Sequence, residues 1–183
     1  MKVAMNVLLH LCCANCAIYP VKTLREQNHQ VTGFFFNHNI HPYQEFRRRL
    51  ETVREYAAGV ELEVRYREDY QLEEFLAQVA QVPLLRCDYC YHSRLEATAC
   101  LAAEQGFDAF STSLLYSRYQ QHETIRSHGE SLAHKFGIRF LYQDFRPGWR
   151  EGIETSKAMG LYRQQYCGCI YSEMERYSPP ART

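Results

Sequence analysis

The chain lacks an excess of charge of either sign: Lys+Arg and Asp+Glu both number 21 in 183 residues. Nucleic-acid phosphates call for basic surfaces, so composition lends no support to such a partner, which has to be argued from local features. Long apolar runs are also missing. No apolar stretch approaches the roughly 18–20 residues of a membrane helix, so no membrane association is expected. The start, Met1 to His10, has an apolar run but no small-residue cleavage site, and it reads as a buried strand of a cytoplasmic protein rather than a secretory leader. No glycine-rich phosphate loop, nicotinamide or flavin motif, internal repeat or low-complexity tract is present. The length fits one domain that buries its own core without disulfides, which a reducing cytoplasm disfavours in any case.

What the chain does have is cysteine. Of eight, all but Cys100 fall in three clusters: Cys12-Cys13-x-x-Cys16, Cys87-x-x-Cys90 and Cys167-x-Cys169. A structural zinc site takes four ligands and would leave thiols without a role. A dithiol oxidoreductase using Cys13-Ala14-Asn15-Cys16 after a strand fits the local context but does not need the other clusters. An iron–sulfur cluster, or two adjacent metals, uses the whole inventory. Haem attachment is disfavoured, since Ala17 and Tyr91 stand where His would follow each Cys-x-x-Cys. Successive side chains on an extended segment face apart, so Cys12 and Cys13 are expected to serve two different centres. Helix N-termini favour thiolate, a setting expected for Cys16 and Cys90. Cys100 sits inside a helical pattern and is assigned to the core. His38 and His41 read as loop residues rather than ligands, and Arg47-Arg48-Arg49 as a solvated helix face.

Val7–Leu11, Val31–Phe36, Glu61–Tyr66, Phe107–Leu114 and Ile138–Tyr142 read as strands. Between and after them, 16–27, 43–58, 72–79, 89–105, 123–136 and 151–159 read as helices, several closed by Gly106, Gly137 or Gly160. This alternation predicts an α/β fold: an open, mainly parallel sheet with helices on both faces, Rossmann-like. Such sheets form their sites beyond the carboxyl ends of the strands, near a switch in strand order. Cys12 and Cys13 lie at such an end. Residues 161–183 are expected to form a C-terminal cysteine-containing segment closing over the metal site of a single domain.

Four sequence blocks carry a family resemblance. Leu8-Leu9-His10-Leu11-Cys12-Cys13-Ala14-Asn15-Cys16, Arg86-Cys87-Asp88-Tyr89-Cys90-Tyr91 with Arg94-Leu95, Ser111-Thr112-Ser113-Leu114 with Tyr119-Gln120, and Tyr166-Cys167-Gly168-Cys169-Ile170-Tyr171-Ser172 resemble, in order, the signature blocks of the QueH-type epoxyqueuosine reductases. The resemblance implies a fold similar to the nucleotide alpha hydrolase-like group. It also implies cobalamin-independent reduction of epoxyqueuosine to queuosine at the tRNA wobble position, the last step of queuosine synthesis. A [4Fe-4S] cluster with an additional mononuclear iron is implied, held by Cys12, Cys13, Cys16, Cys87, Cys90, Cys167 and Cys169. The family commonly has Pro where this chain has Asn15 and Arg118, departures that touch loop rigidity and tRNA contact rather than ligation.

On that reading, Cys87, Cys90 and one first-motif cysteine are the expected cluster ligands. The remaining first-motif cysteines and one or both of Cys167 and Cys169 are left for the second iron; alternatively Cys167 and Cys169 form a redox pair or a lid. Asp88, Tyr89 and Tyr116, with Tyr91 and His10, are candidate proton donors by adjacency. Arg118, Tyr119, Gln120 and Arg163, together with Tyr43 and Arg47, are candidate contacts to an anticodon loop presented with its base splayed. An external electron donor such as ferredoxin or flavodoxin is expected. The alternative class is a non-enzymatic iron–sulfur or zinc-binding α/β protein.

Overall fold

A computed structural model of the chain describes residues 3–179; Met1, Lys2 and residues 180–183 of the expected closing segment lie outside it. Five parallel strands form one sheet in the order β3-β2-β1-β4-β5, with β1 Asn6–His10, β2 Gln30–Phe35, β3 Val64–Tyr66, β4 Ala109–Thr112 and β5 Arg139–Phe140. The sheet is therefore doubly wound, and β1 stands at the switch, paired with β2 on one side and β4 on the other. Val7, Leu8 and Leu9 are fully buried, as the central strand of a parallel sheet covered on both faces requires.

Helices α1 (Ala14–Glu26), α2 (Tyr43–Gly59) and α6 (Trp149–Ala158) pack together, and α4 (Arg86–Glu104) packs against α5 (His122–Phe136) with α3 (Leu72–Val79) beside it. The alternation read from sequence holds throughout, and helices end at Gly106, Gly137 and Gly160 as expected. The edge strands are shorter than their apolar runs, three residues for β3 and two for β5. One helix was not anticipated: α7 (Ile170–Tyr177) buries no residue, so it carries no core-facing stripe to read. Among the described residues no helix is long and apolar enough to cross a membrane.

Cys100 is a correction. It lies one step around α4 from the buried Leu95, Ala99 and Ala102, half-buried rather than in the core, and its thiol donates to Glu104 Oε1 at 3.1 Å.

Candidate metal centre

The site begins where β1 stops. The His10 ring is fully buried: Nε2 donates to Phe36 O at 3.1 Å, and Nδ1 lies 3.0 Å from Thr112 Oγ1. Burial, and after it the Arg94 charge, push its pKa down to about 4, so the imidazole is neutral. Leu11 still donates to Phe34 O, but the backbone then bends at Cys12. Cys13 caps α1 in extended conformation, and its Sγ accepts the Cys16 N–H at 3.4 Å, taking the place a serine oxygen fills at other helix starts.

This bend overturns the expected divergence of Cys12 and Cys13. Their sulfurs are 3.8 Å apart, and those of Cys12, Cys13 and Cys16 all lie within 4.8 Å of one another. Strand alternation does not apply, because the two residues span a bend and a helix cap rather than a strand. The acidic thiol is Cys12, not Cys16. Hydrogen bonds from Cys13 and Cys16 hold Cys12 well below the usual thiol range, while the bonds to Cys12 and Cys13 push Cys16 up, and burial pushes Cys13 up. Ser113 Oγ accepts from Cys12 N at 3.1 Å and donates to its Sγ at 3.4 Å. Gln164 Nε2 donates to Cys13 Sγ at 2.9 Å.

The second group is built by α4 and the C-terminal segment. Cys87 and Cys90 share one helix face at i, i+3. Because α4 starts at Arg86, Cys87 rather than Cys90 occupies its first turn, and burial pushes Cys90 up to about 12. Cys90 packs in a buried cluster with Phe75, Val79 and Cys169, and both Cys87 and Cys90 lie within electrostatic range of Cys167 and Cys169. Cys169 caps α7 as Cys13 caps α1, its Sγ accepting Ser172 N–H at 3.4 Å. Gly168 between the two cysteines has φ +149°, and a Cβ there would meet Arg49 Nη1 and Ile40 Cγ1 at 3.3 Å. The backbone angle favours glycine, and the tight contacts add to the cost of a side chain there.

Arg49 secures this segment. Its guanidinium is buried, pairs with Glu45 at 2.7 Å, and donates to Cys167 O at 2.8 Å and Tyr166 O at 3.0 Å. The solvated-face reading of 47–49 is thus corrected at its last residue: position 49 joins the buried stripe of Phe46, Leu50 and Val53 on α2. His41 adds a second anchor. Its backbone N–H donates to Gly168 O at 2.8 Å, and its ring donates to His38 O and accepts from Ile170 N. His38, buried beside Phe75 and Tyr89, has Nε2 2.5 Å from Ser93 Oγ. Both histidines are packing residues of their loop.

A cavity of about 600 Å³ opens between the two thiol groups. Cys12, Cys16 and Cys167 line it, facing Tyr116, Trp149, Arg163 and Arg176. Tyr116 stacks on Trp149 with ring centroids 5.1 Å apart and donates its hydroxyl to Trp149 O at 2.9 Å; burial pushes its pKa up. Gly152 makes that approach feasible, since a Cβ there would lie 2.3 Å from the Tyr116 hydroxyl. Tyr119 stands at the mouth, 84% exposed and edge-on to Trp149, and Gln120 Nε2 reaches Cys167 Sγ at 3.5 Å. Arg118 lies over the Trp149 ring, outside the cavity lining. Tyr43 and Arg47 border a separate shallow pocket.

Of the five named proton-donor candidates only Tyr116 lines the cavity: His10 is buried beneath it, and the Tyr91 hydroxyl, also buried, accepts from Gln121 N at 3.2 Å. Asp88 is exposed and pairs with His128 on α5 at 2.8 Å, and Tyr89 packs against His38 and Phe75. Asn15, Arg49, Arg94, Ser113 and Gln164 are site residues that motif reading did not assign. Asn15, where a proline is expected, donates to Tyr162 O at 2.9 Å and to Gln164 Oε1 at 2.8 Å, and accepts from Ser156 Oγ. It thereby holds the glutamine that reaches Cys13. An Arg four residues after Glu45 was the one local signal for Arg49.

The epoxyqueuosine reductase QueH family model matches residues 7–175. A Dehalococcoides mccartyi protein named epoxyqueuosine reductase QueH is 40% identical over 177 residues, 97% of each chain. A Thermotoga maritima protein of the same name is 36% identical, over 93% of this chain and 92% of its own. Among solved structures, one described as a predicted subunit of tRNA methyltransferase from Methanocaldococcus jannaschii superposes with a TM-score of 0.55, covering 82% of this chain and 74% of its own at 12% identity; that likeness concerns the fold. With near full-length agreement to its relatives and a family match spanning all three cysteine clusters, the chain belongs to the epoxyqueuosine reductase QueH family.

Proposed function

We propose that this protein reduces epoxyqueuosine to queuosine in tRNA, using a thiol-held iron–sulfur centre, a reading carried by the family match together with the convergence of thiols at one cavity. Removing an epoxide oxygen as water consumes two electrons and two protons. The electrons would come from an external one-electron donor of ferredoxin or flavodoxin type in a reducing cytoplasm.

The donor set suits such a centre. Soft thiolates select iron–sulfur clusters and zinc over hard cations, and the trio has three converging sulfurs with one side open to the cavity. Cys87, Cys90, Cys167 and Cys169 would hold the [4Fe-4S] cluster, and Cys12, Cys13 and Cys16 an additional iron. This division replaces the one that required Cys12 and Cys13 to point apart. Bound there, the metals would deliver electrons singly and polarise the epoxide oxygen.

The chain's own groups prepare the rest. Residues 161–179 close one side of the cavity, held by Arg49, His41 and Asn15. The Tyr116–Trp149 stack offers a wall for a flat base, and Tyr119 and Arg118 a platform for its neighbour. Arg163 and Arg176 supply positive charge for phosphates at the rim. Gln120 lies where it can orient a substrate hydroxyl beside Cys167. Tyr116 Oη, kept protonated by burial, is a proton store in the cavity wall.

The test is anaerobic incubation of reduced protein with epoxyqueuosine tRNA, followed by nucleoside analysis. Queuosine should form, and Cys13→Ala and Cys87→Ala should each abolish it; turnover retained in both variants would refute the assignment.

A further inference from the structure

Two arginines are almost wholly withdrawn from water, Arg49 and Arg94, each 2% exposed. A buried guanidinium is costly unless an anion meets it. Arg49 has Glu45 at 2.7 Å. Among the described residues Arg94 has no carboxylate partner. Its Nε donates to Cys90 O and its Nη2 to Cys90 Sγ, both at 3.0 Å. The ionisable groups within its electrostatic range are, in order, Cys90, Cys167, Cys12 and Tyr91. It also lines the cavity beside Cys12 and Cys167. One fixed cation thus faces sulfur from both thiol groups and, among the described residues, no carboxylate.

We propose that Arg94 is the counter-ion of the metal centre, a positioning residue whose fixed charge sets the potential at which that centre takes up an electron. The inference rests on the iron–sulfur reading above. When one electron passes from the external donor to the centre, no bond forms or breaks there and the buried negative charge grows by one. A permanent cation in hydrogen-bond contact with a ligand sulfur, screened little at that depth, stabilises the reduced state over the oxidised one. Removing the cation makes the centre harder to reduce. Electrons from a given donor then reach the substrate less readily, while the cavity keeps its shape.

Arg94→Met keeps the length and bulk of the side chain and removes the charge; Arg94→Lys keeps the charge and removes the planar fork. Potentiometric titration of the anaerobic holoenzymes, followed by electron paramagnetic resonance, reads the difference. The Met variant is expected to shift to a more negative potential with iron content unchanged, and the Lys variant to stay close to the parent. A Met variant titrating with the parent, or Met and Lys variants shifting equally, would overturn the proposal, since charge would then not be the operative property. Should the Met variant retain no iron, thermal unfolding of the iron-free proteins decides. A counter-ion to the metal centre leaves Arg94→Met melting at or above the parent, whereas a lower melting point makes Arg94 a residue of the fold and ends the proposal. Parent protein that carries no iron is a separate result, and it counts against the iron–sulfur reading itself.

Discussion

At the scale of single residues, the chain keeps neutral imidazoles where its thiols gather. Burial, and then the field of Arg94, lower the His38 pKa from 6.5 to about 3. In the unfolded chain the same ring takes a proton near 6.5. Between those values the unfolded state binds more protons, so stability is lost as pH falls from about 6.5 towards 3. By pH 5 His38 contributes about 2 kcal/mol of destabilisation, and His41, lowered to about 4, acts in the same direction. Urea unfolding of the iron-free protein at pH 7 and pH 5 should show this loss, and His38→Gln should flatten it. A dependence equally steep in both proteins would contradict the assignment. The cysteines were legible in sequence because their spacing is their signal. Their pairing was not: Cys12 and Cys13 converge through a bend and a helix cap that alternation rules do not contain. Nor was the fate of Asp88, which its neighbours in the motif suggest is functional and which His128, 40 residues away, holds on the outer side.

Among elements, the strap formed by residues 161–179 depends on α2. Arg49→Met would leave Glu45 buried without its cation, which costs about 3–5 kcal/mol, and would release Tyr166 O and Cys167 O. Hydrogen exchange should then accelerate across the Cys167–Tyr177 stretch while the amides of β1 and β4 stay protected. Exchange as slow as in the parent across that stretch would show that Arg49 does not hold it. The sheet and its order of helices could be read because β1 and β2 are continuous apolar runs and the helices carry clear stripes. Helix α7 could not, having no buried residue. The burial of Arg49 depends on carbonyls 117 and 118 positions away, which no local pattern records.

For the molecule as a whole, strand order explains why a charge-balanced chain can host tRNA chemistry. The switch at β1 brings the Cys12 bend, the Ser113 turn after β4 and the C-terminal strap to one crevice. Arg163 and Arg176 line that crevice, so it carries local positive charge although the chain as a whole is balanced. Gly152→Ala gives a check at this scale, because its Cβ would collide with the Tyr116 hydroxyl. The substitution should displace the Tyr116–Trp149 wall, cost about 1–3 kcal/mol of stability and raise KM for tRNA with iron content intact; unchanged KM would remove that wall from the binding surface. The central claim is that the thiols assemble an iron–sulfur centre rather than a structural zinc site. Iron and acid-labile sulfide counted per chain in anaerobically purified protein test it most directly. The account predicts brown protein with more than about four irons and about four sulfides per chain; colourless protein with about one zinc and no sulfide would contradict it.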